Sequence, residues 1–178
     1  MSAYPHVRSH PRTVSVRYFK ASYLDASAAV KLVLAEAGSD HINAYFSDRG
    51  GFFITSFCLV EALGVLKRKM LKNEISSDQY FAKFFLLLSY LRMKRINIDE
   101  PEISSLETFR RAEDFARRHS LDLSDAVQLV GLKYGRFCHF VQESKPVLIT
   151  ADRALATAAE TEGLRVWNCE ETVEPPVQ

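Results

Sequence analysis

Ser22-Tyr23-Leu24-Asp25-Ala26-Ser27-Ala28-Ala29-Val30-Lys31-Leu32 opens the patterned part of the chain, a short apolar run that meets an aspartate and passes directly into good helix formers. A buried strand feeding a helix in this way is the first half of an α/β unit. The spacing predicts a strand over 22–25 and a helix over 26–37, stopped by Gly38. The same switch recurs downstream. A second strand over 52–55 leads into a helix with Leu59, Leu63, Leu66 and Met70 on one face. A long helix over 77–92 carries Phe81, Phe84, Phe85, Leu88 and Leu91 as a stripe. Strands over 95–99, 147–150 and 164–167, with helices over 103–119, 124–134 and 153–162, complete the alternation. This order predicts an α/β fold around a largely parallel sheet.

The composition of the 178 residues, 47% hydrophobic and 25% charged, is that of one soluble globular domain with a sizeable core. A net charge of +1 excludes a whole-protein basic field, so nucleic-acid contact would need local patches. Cys58, Cys138 and Cys169 are odd in number and lack the paired spacing of a zinc site, which predicts reduced thiols. The basic stretch over 1–20, with Arg8, Arg12, Arg17 and Lys20, has no apolar core like that of a signal peptide. It reads as a flexible arm, followed by a domain over 21–170 and a tail over 171–178. No apolar run is long enough to span a bilayer, so a cytoplasmic protein is expected.

Functional groups of parallel sheets gather where strand ends open onto a crevice. Asp25 ends the first strand, and Asp152 follows the fourth in Leu148-Ile149-Thr150-Ala151-Asp152-Arg153. Glu61 and Asp125 lie early in two helices, so all four carboxylates can face one edge. Such a cluster opposes folding unless a cation offsets it. Magnesium or manganese suits an oxygen-only donor set. Each acid also has a local use: Asp25 and Asp152 as helix N-caps, Glu61 as a first-turn acid and Asp125 as a solvated one.

Five segments in this order resemble a PIN domain of the VapC-type toxin group. They are Tyr23-Leu24-Asp25-Ala26-Ser27-Ala28-Ala29-Val30-Lys31-Leu32, Val60-Glu61-Ala62, Ser124-Asp125-Ala126-Val127-Gln128-Leu129, Ile149-Thr150-Ala151-Asp152-Arg153-Ala154-Leu155 and Glu162-Gly163-Leu164-Arg165-Val166. The resemblance covers roughly residues 23–168. It implies a three-layer α/β/α sandwich with a central, mainly parallel sheet. It also implies Asp25, Glu61, Asp125 and Asp152 as a catalytic, metal-binding site, with Ser27 and Thr150 as supporting hydroxyls. Mg2+ or Mn2+ dependence, hydrolysis of RNA phosphodiester bonds, an antitoxin partner and a homodimer come from the same resemblance. The segment 135–145 departs from the family pattern and reads as a loop insertion. Asp122, one helical turn before Asp125, is a candidate outer acid.

Two further features bear on partners. Lys67, Arg68 and Lys69, or Arg92, Lys94 and Arg95, can reach phosphates, although helix-end cations also favour the macrodipole. Surplus apolar residues at Phe85, Leu86, Leu87 and Tyr90 suggest a second buried face, against an antitoxin, a second protomer or the chain's own domain. Neither a P-loop nor a dinucleotide-binding glycine turn is present. An aspartyl phosphatase would need a second acid where Ser27 stands. A catalytically silent PIN scaffold is the alternative to a ribonuclease, because a fold does not fix a function.

Overall fold

The computed structural model describes residues 20–173 and 175, so the basic arm expected at 1–20 lies outside them except for Lys20. Apolar side chains alternate along each central strand, and that alternation divides the core. In β1 (Ser22–Leu24) Tyr23 faces one cluster and Leu24 the other; in β2 (Phe52–Ile54) Phe53 opposes Phe52 and Ile54. β4 (Val147–Thr150) and β5 (Arg165–Asn168) repeat the pattern, with Leu148 and Val166 on the Tyr23 side and Ile149 and Trp167 opposite. Two buried faces require two helical layers.

Those layers are present. Beneath Leu24 pack α1 (Ala26–Lys31), α2 (Ser39–Asp48), α3 (Ser56–Leu71) and α4 (Ser77–Arg92). Beneath Tyr23 pack α5 (Leu106–His119), α6 (Leu123–Tyr134) and α7 (Arg153–Thr161). With β3 (Ile96–Ile98), the strands form one sheet in the order β3-β2-β1-β4-β5, and every pairing is parallel. The fold is thus the expected three-layer α/β/α sandwich. The chain runs outward from β1 to β3 on one side and continues through β4 and β5 on the other. The point of reversal lies between β1 and β4, where a crevice opens at the strand carboxyl ends.

Two departures from the sequence reading affect the packing; smaller ones are boundary shifts, such as α5 starting at Leu106 where a helix from 103 is expected. The helix expected over 26–37 ends at Lys31, and a separate helix, α2, starts at Ser39. Gly38 therefore starts a helix instead of stopping one. It has a left-handed φ of +78°, and a Cβ there would meet the Cys169 carbonyl oxygen at 2.4 Å. The second difference is the rotation of α4. Leu87 is fully buried, and Tyr80, Tyr90 and Leu91 pack beside it, whereas Phe81 and Phe85 are exposed. The stripe assigned to the core includes two residues that face outward, because an apolar helix does not declare its inner face by periodicity alone.

Gly38→Ala combines a left-handed backbone with a collision against main chain. Its expected cost is about 2–4 kcal/mol, measured as a lower urea midpoint with an unchanged slope.

Candidate functional site

Asp25 follows β1 and caps α1, its Oδ1 accepting from the Ala28 amide at 2.7 Å. Thr150, the last residue of β4, donates its hydroxyl to Asp25 Oδ2 at 2.7 Å. The Ser27 hydroxyl lies 2.9 Å from both carboxylate oxygens. Each hydroxyl is fixed in turn by main chain: Ser27 Oγ accepts from the Ala151 amide and Thr150 Oγ1 from the Asp152 amide, both at 2.8 Å. The two supporting hydroxyls expected from sequence thus join the ends of β1 and β4 around one buried carboxylate. Burial pushes the Asp25 pKa up to about 6, against bonds from Ala28, Thr150 and Ser27 that favour the charged form.

The other acids arrive from separate elements. Glu61 lies in the second turn of α3, not the first, and its Oε2 accepts from the Ser124 hydroxyl at 2.5 Å. The same hydroxyl is 2.9 Å from Asp122 Oδ1. One hydrogen serves only one acceptor at a time, so Ser124 couples Glu61 to Asp122. Asp122 caps α6 through the Asp125 amide at 3.1 Å, and Asp125 sits in the first turn. Asp152 caps α7, with the Ala154 and Leu155 amides both donating to its Oδ1 at 2.7 and 3.0 Å.

Asp25, Glu61, Asp122, Asp125 and Asp152 all line one cavity of about 320 Å³. Among the described residues, Glu36, Glu170 and the single ammonium of Lys31 complete its charged lining, seven carboxylates against one cation. Asp125 registers that imbalance most strongly. Burial, followed by the charges of Asp122, Asp25, Glu61 and Asp152, raises its pKa to about 8. The charged lining has only oxygen donors, which fits a hard divalent ion and would suit zinc or copper poorly. Among the described residues, no three His, Cys, Asp or Glu side chains yet stand as a group able to hold an ion. The carboxylates therefore share a cavity without closing on one point. Cys58 lies beneath them, its Sγ bonded to Gln128 Oε1 at 2.6 Å, and burial raises the thiol pKa well above its usual value. A thiolate nucleophile is not available there.

Ser124, Lys31, Glu36 and Glu170 were not singled out by the sequence as site residues. Ser124 stands inside the Ser124-Asp125 segment and was within reach of that reading. The other three meet only through the fold. Two candidate phosphate-binding cations have structural partners instead: Lys69 pairs with Glu36 and Glu74 at 2.7 and 3.1 Å, and Arg95 donates to the Phe46 carbonyl.

No family model and no curated protein matches the chain. Its fold is similar to the crystal structure of PAE2754 from Pyrobaculum aerophilum, with 20% identity and a TM-score of 0.53 over 83% of this chain and 89% of that one. The similarity bears on the arrangement of helices and strands.

A carboxyl whose pKa is higher in the folded state contributes its stability at low pH and loses it as pH rises through the folded value. Without metal, the protein should therefore weaken from about pH 4 upward, through the values near 6 for Asp25 and 8 for Asp125. Asp125→Asn should raise the metal-free Tm at pH 8.5 by roughly 5 °C. That gain should shrink on acidification and vanish near pH 4, as read by calorimetry across the range.

Proposed function

We propose that the protein is a Mg2+- or Mn2+-dependent endoribonuclease of the PIN-domain type. In this reading it hydrolyses RNA phosphodiester bonds as the toxin of a VapC-like toxin–antitoxin pair. The observation that carries the reading is the arrival of Asp25, Glu61, Asp125 and Asp152 from four elements in one cavity at the sheet's point of reversal. These four would hold the cation, and Asp122 acts behind them through Ser124. A divalent ion, when bound, supplies neutralising charge at the phosphate and a lower pKa for the attacking water.

The chain's own groups prepare that chemistry. Ser27 and Thr150 hold both Asp25 oxygens in place before any ligand arrives. Preorganised donors of this kind need no rearrangement when charge develops. Burial and then the neighbouring acids hold the Asp125 pKa near 8, so at neutral pH this carboxyl would give its proton to solvent on taking a place beside a cation. No protein nucleophile is required. The second reading, a silent scaffold that binds RNA or protein, is favoured by the absence of a ready-made metal group among the described residues.

A partner surface accompanies this role. Leu87 and Tyr90 belong to the domain's own core, which leaves Phe81, Phe85 and Leu86 of α4 for an antitoxin or a second copy. None of the described helices is long and apolar enough to cross a membrane.

Asp25→Asn and Asp125→Asn should each lower Mg2+-dependent RNA cleavage by at least about a hundredfold while the protein remains folded. Mapping RNA ends with and without Mg2+ checks this, and full cleavage by both variants would sink the mechanism. Phe85→Arg should convert a dimer to a monomer in solution mass measurements. A wild type that is already monomeric at high concentration removes the homodimer.

A further inference from the structure

Lys31 is the only ammonium among the described residues that line the acidic cavity, and its side chain is 5% exposed. Its Nζ stands 2.7 Å from Glu170 Oε1 and 3.7 Å from Glu36 Oε2. Lys69 holds Glu36 from the other side at 2.7 Å. A buried ammonium is retained only where anions compensate its desolvation, and here Glu36, five residues on, and Glu170, from the far end of the fold's chain order, do so. Glu170 is delivered by the chain just beyond β5. That segment is pinned by the contact of His41 Nδ1 with the Cys169 carbonyl at 3.0 Å and by the close approach of Gly38. Lys31 follows Ser27 by one helical turn, so α1 presents to the same cavity a hydroxyl that grips Asp25 and an ammonium that grips Glu36 and Glu170.

We propose that Lys31 is a positioning residue that serves as a built-in monovalent cation at one end of the cavity, holding Glu170 and sharing Glu36 with Lys69, and so confining divalent ions to Asp25, Glu61, Asp125 and Asp152. The inference rests on the metal-dependent reading above. Seven carboxylates in one cavity offer more donors than the four-acid site uses. An ion that settled between Glu36 and Glu170 would lie off the Ser27–Asp25–Thr150 framework. A tethered ammonium occupies that end permanently, and with +1 charge it leaves the cavity acidic enough to draw in metal.

The test is a titration of the full chain with Mn2+ alone, counting bound ions from the loss of the free-ion electron paramagnetic resonance signal. Wild type and Lys31→Arg should bind the same number of ions. Lys31→Met, which frees Glu170 and leaves Glu36 with Lys69 as its one cation, should bind about one ion more. Lys31→Met/Glu170→Gln, which removes the nearer acid together with the cation, should return to the wild-type number. Circular dichroism monitors folding throughout, since Lys31→Met can require Mn2+ to fold. A Lys31→Met chain that stays unfolded at saturating Mn2+, or that folds and binds only the wild-type number, overturns the inference and leaves the four-acid site standing. A wild type that binds no Mn2+ overturns the metal-dependent reading, and the inference falls with it.

Discussion

The Asp25 carboxylate is the joint on which the arrangement depends. It lies at the end of the central strand with 3% exposure, and it receives bonds from α1, from Ser27 and from Thr150 of the neighbouring strand. A buried carboxylate without such donors would be untenable, and with them it locks β1, α1 and β4 into one geometry. The Asp25 amide adds a bond to the Ile149 carbonyl at 3.1 Å, so backbone and side chain both cross the point where strand order reverses. The crevice that this reversal creates is consequently a rigid one. The other acids are brought to it by helices packed on the two faces of the same sheet.

The molecule treats its carboxylates in two opposite ways. Glu162, at the end of α7, meets Lys133, Arg118 and His119. Burial works against its ionisation, but bonds from Lys133 and His119 and the nearby cations outweigh it and hold the pKa down to about 2. Asp125 is pushed to about 8 by burial first and then by acidic neighbours. The chain has nearly balanced totals, 23 basic and 22 acidic side chains, so this contrast is one of placement. Three basic side chains meet Glu162, whereas among the described residues that line the cavity Lys31 alone is a cation, placed on Glu36 and Glu170 and not on the four principal acids. Such an unneutralised cavity is a site of stored repulsion, relieved by protons or by metal.

Much of this was legible in the sequence because strands and their following helices are local signals. The strand over 147–150 is found with the boundaries expected, and Asp25 and Asp152 were assignable to strand ends from the residues around them. The break at Lys31 was not legible. Residues 26–37 hold no strong breaker, and the turn is set by tertiary packing, with the Val33 and Leu34 amides both bonding to the Val30 carbonyl. The inner face of α4 was obscured by apolar residues on several sides. The Lys31–Glu170 contact joins residues 139 positions apart in the chain; no local pattern encodes it. Glu61 lines the cavity from early in α3, in the second turn, so the first-turn role offered as its local use does not apply.

The local and functional uses of the acids turn out to be compatible. Asp25, Asp122 and Asp152 all cap helices, and in each case the amides bond to Oδ1. A cap fixes the rotamer and directs the carboxylate toward the helix N-terminus, where backbone amides favour negative charge. The fold can therefore place three negative groups at one cavity while each stabilises its own helix. Asparagine caps nearly as well as aspartate, so replacing one by the other removes charge while retaining the local bond. That separates the two roles cleanly. Asp125 differs because it sits in the first turn of α6 without being its N-cap, and burial followed by four acids raises its pKa. It gains least from local structure and depends most on what enters the cavity. Of the four principal acids, it is the one whose presence is hardest to explain by folding alone.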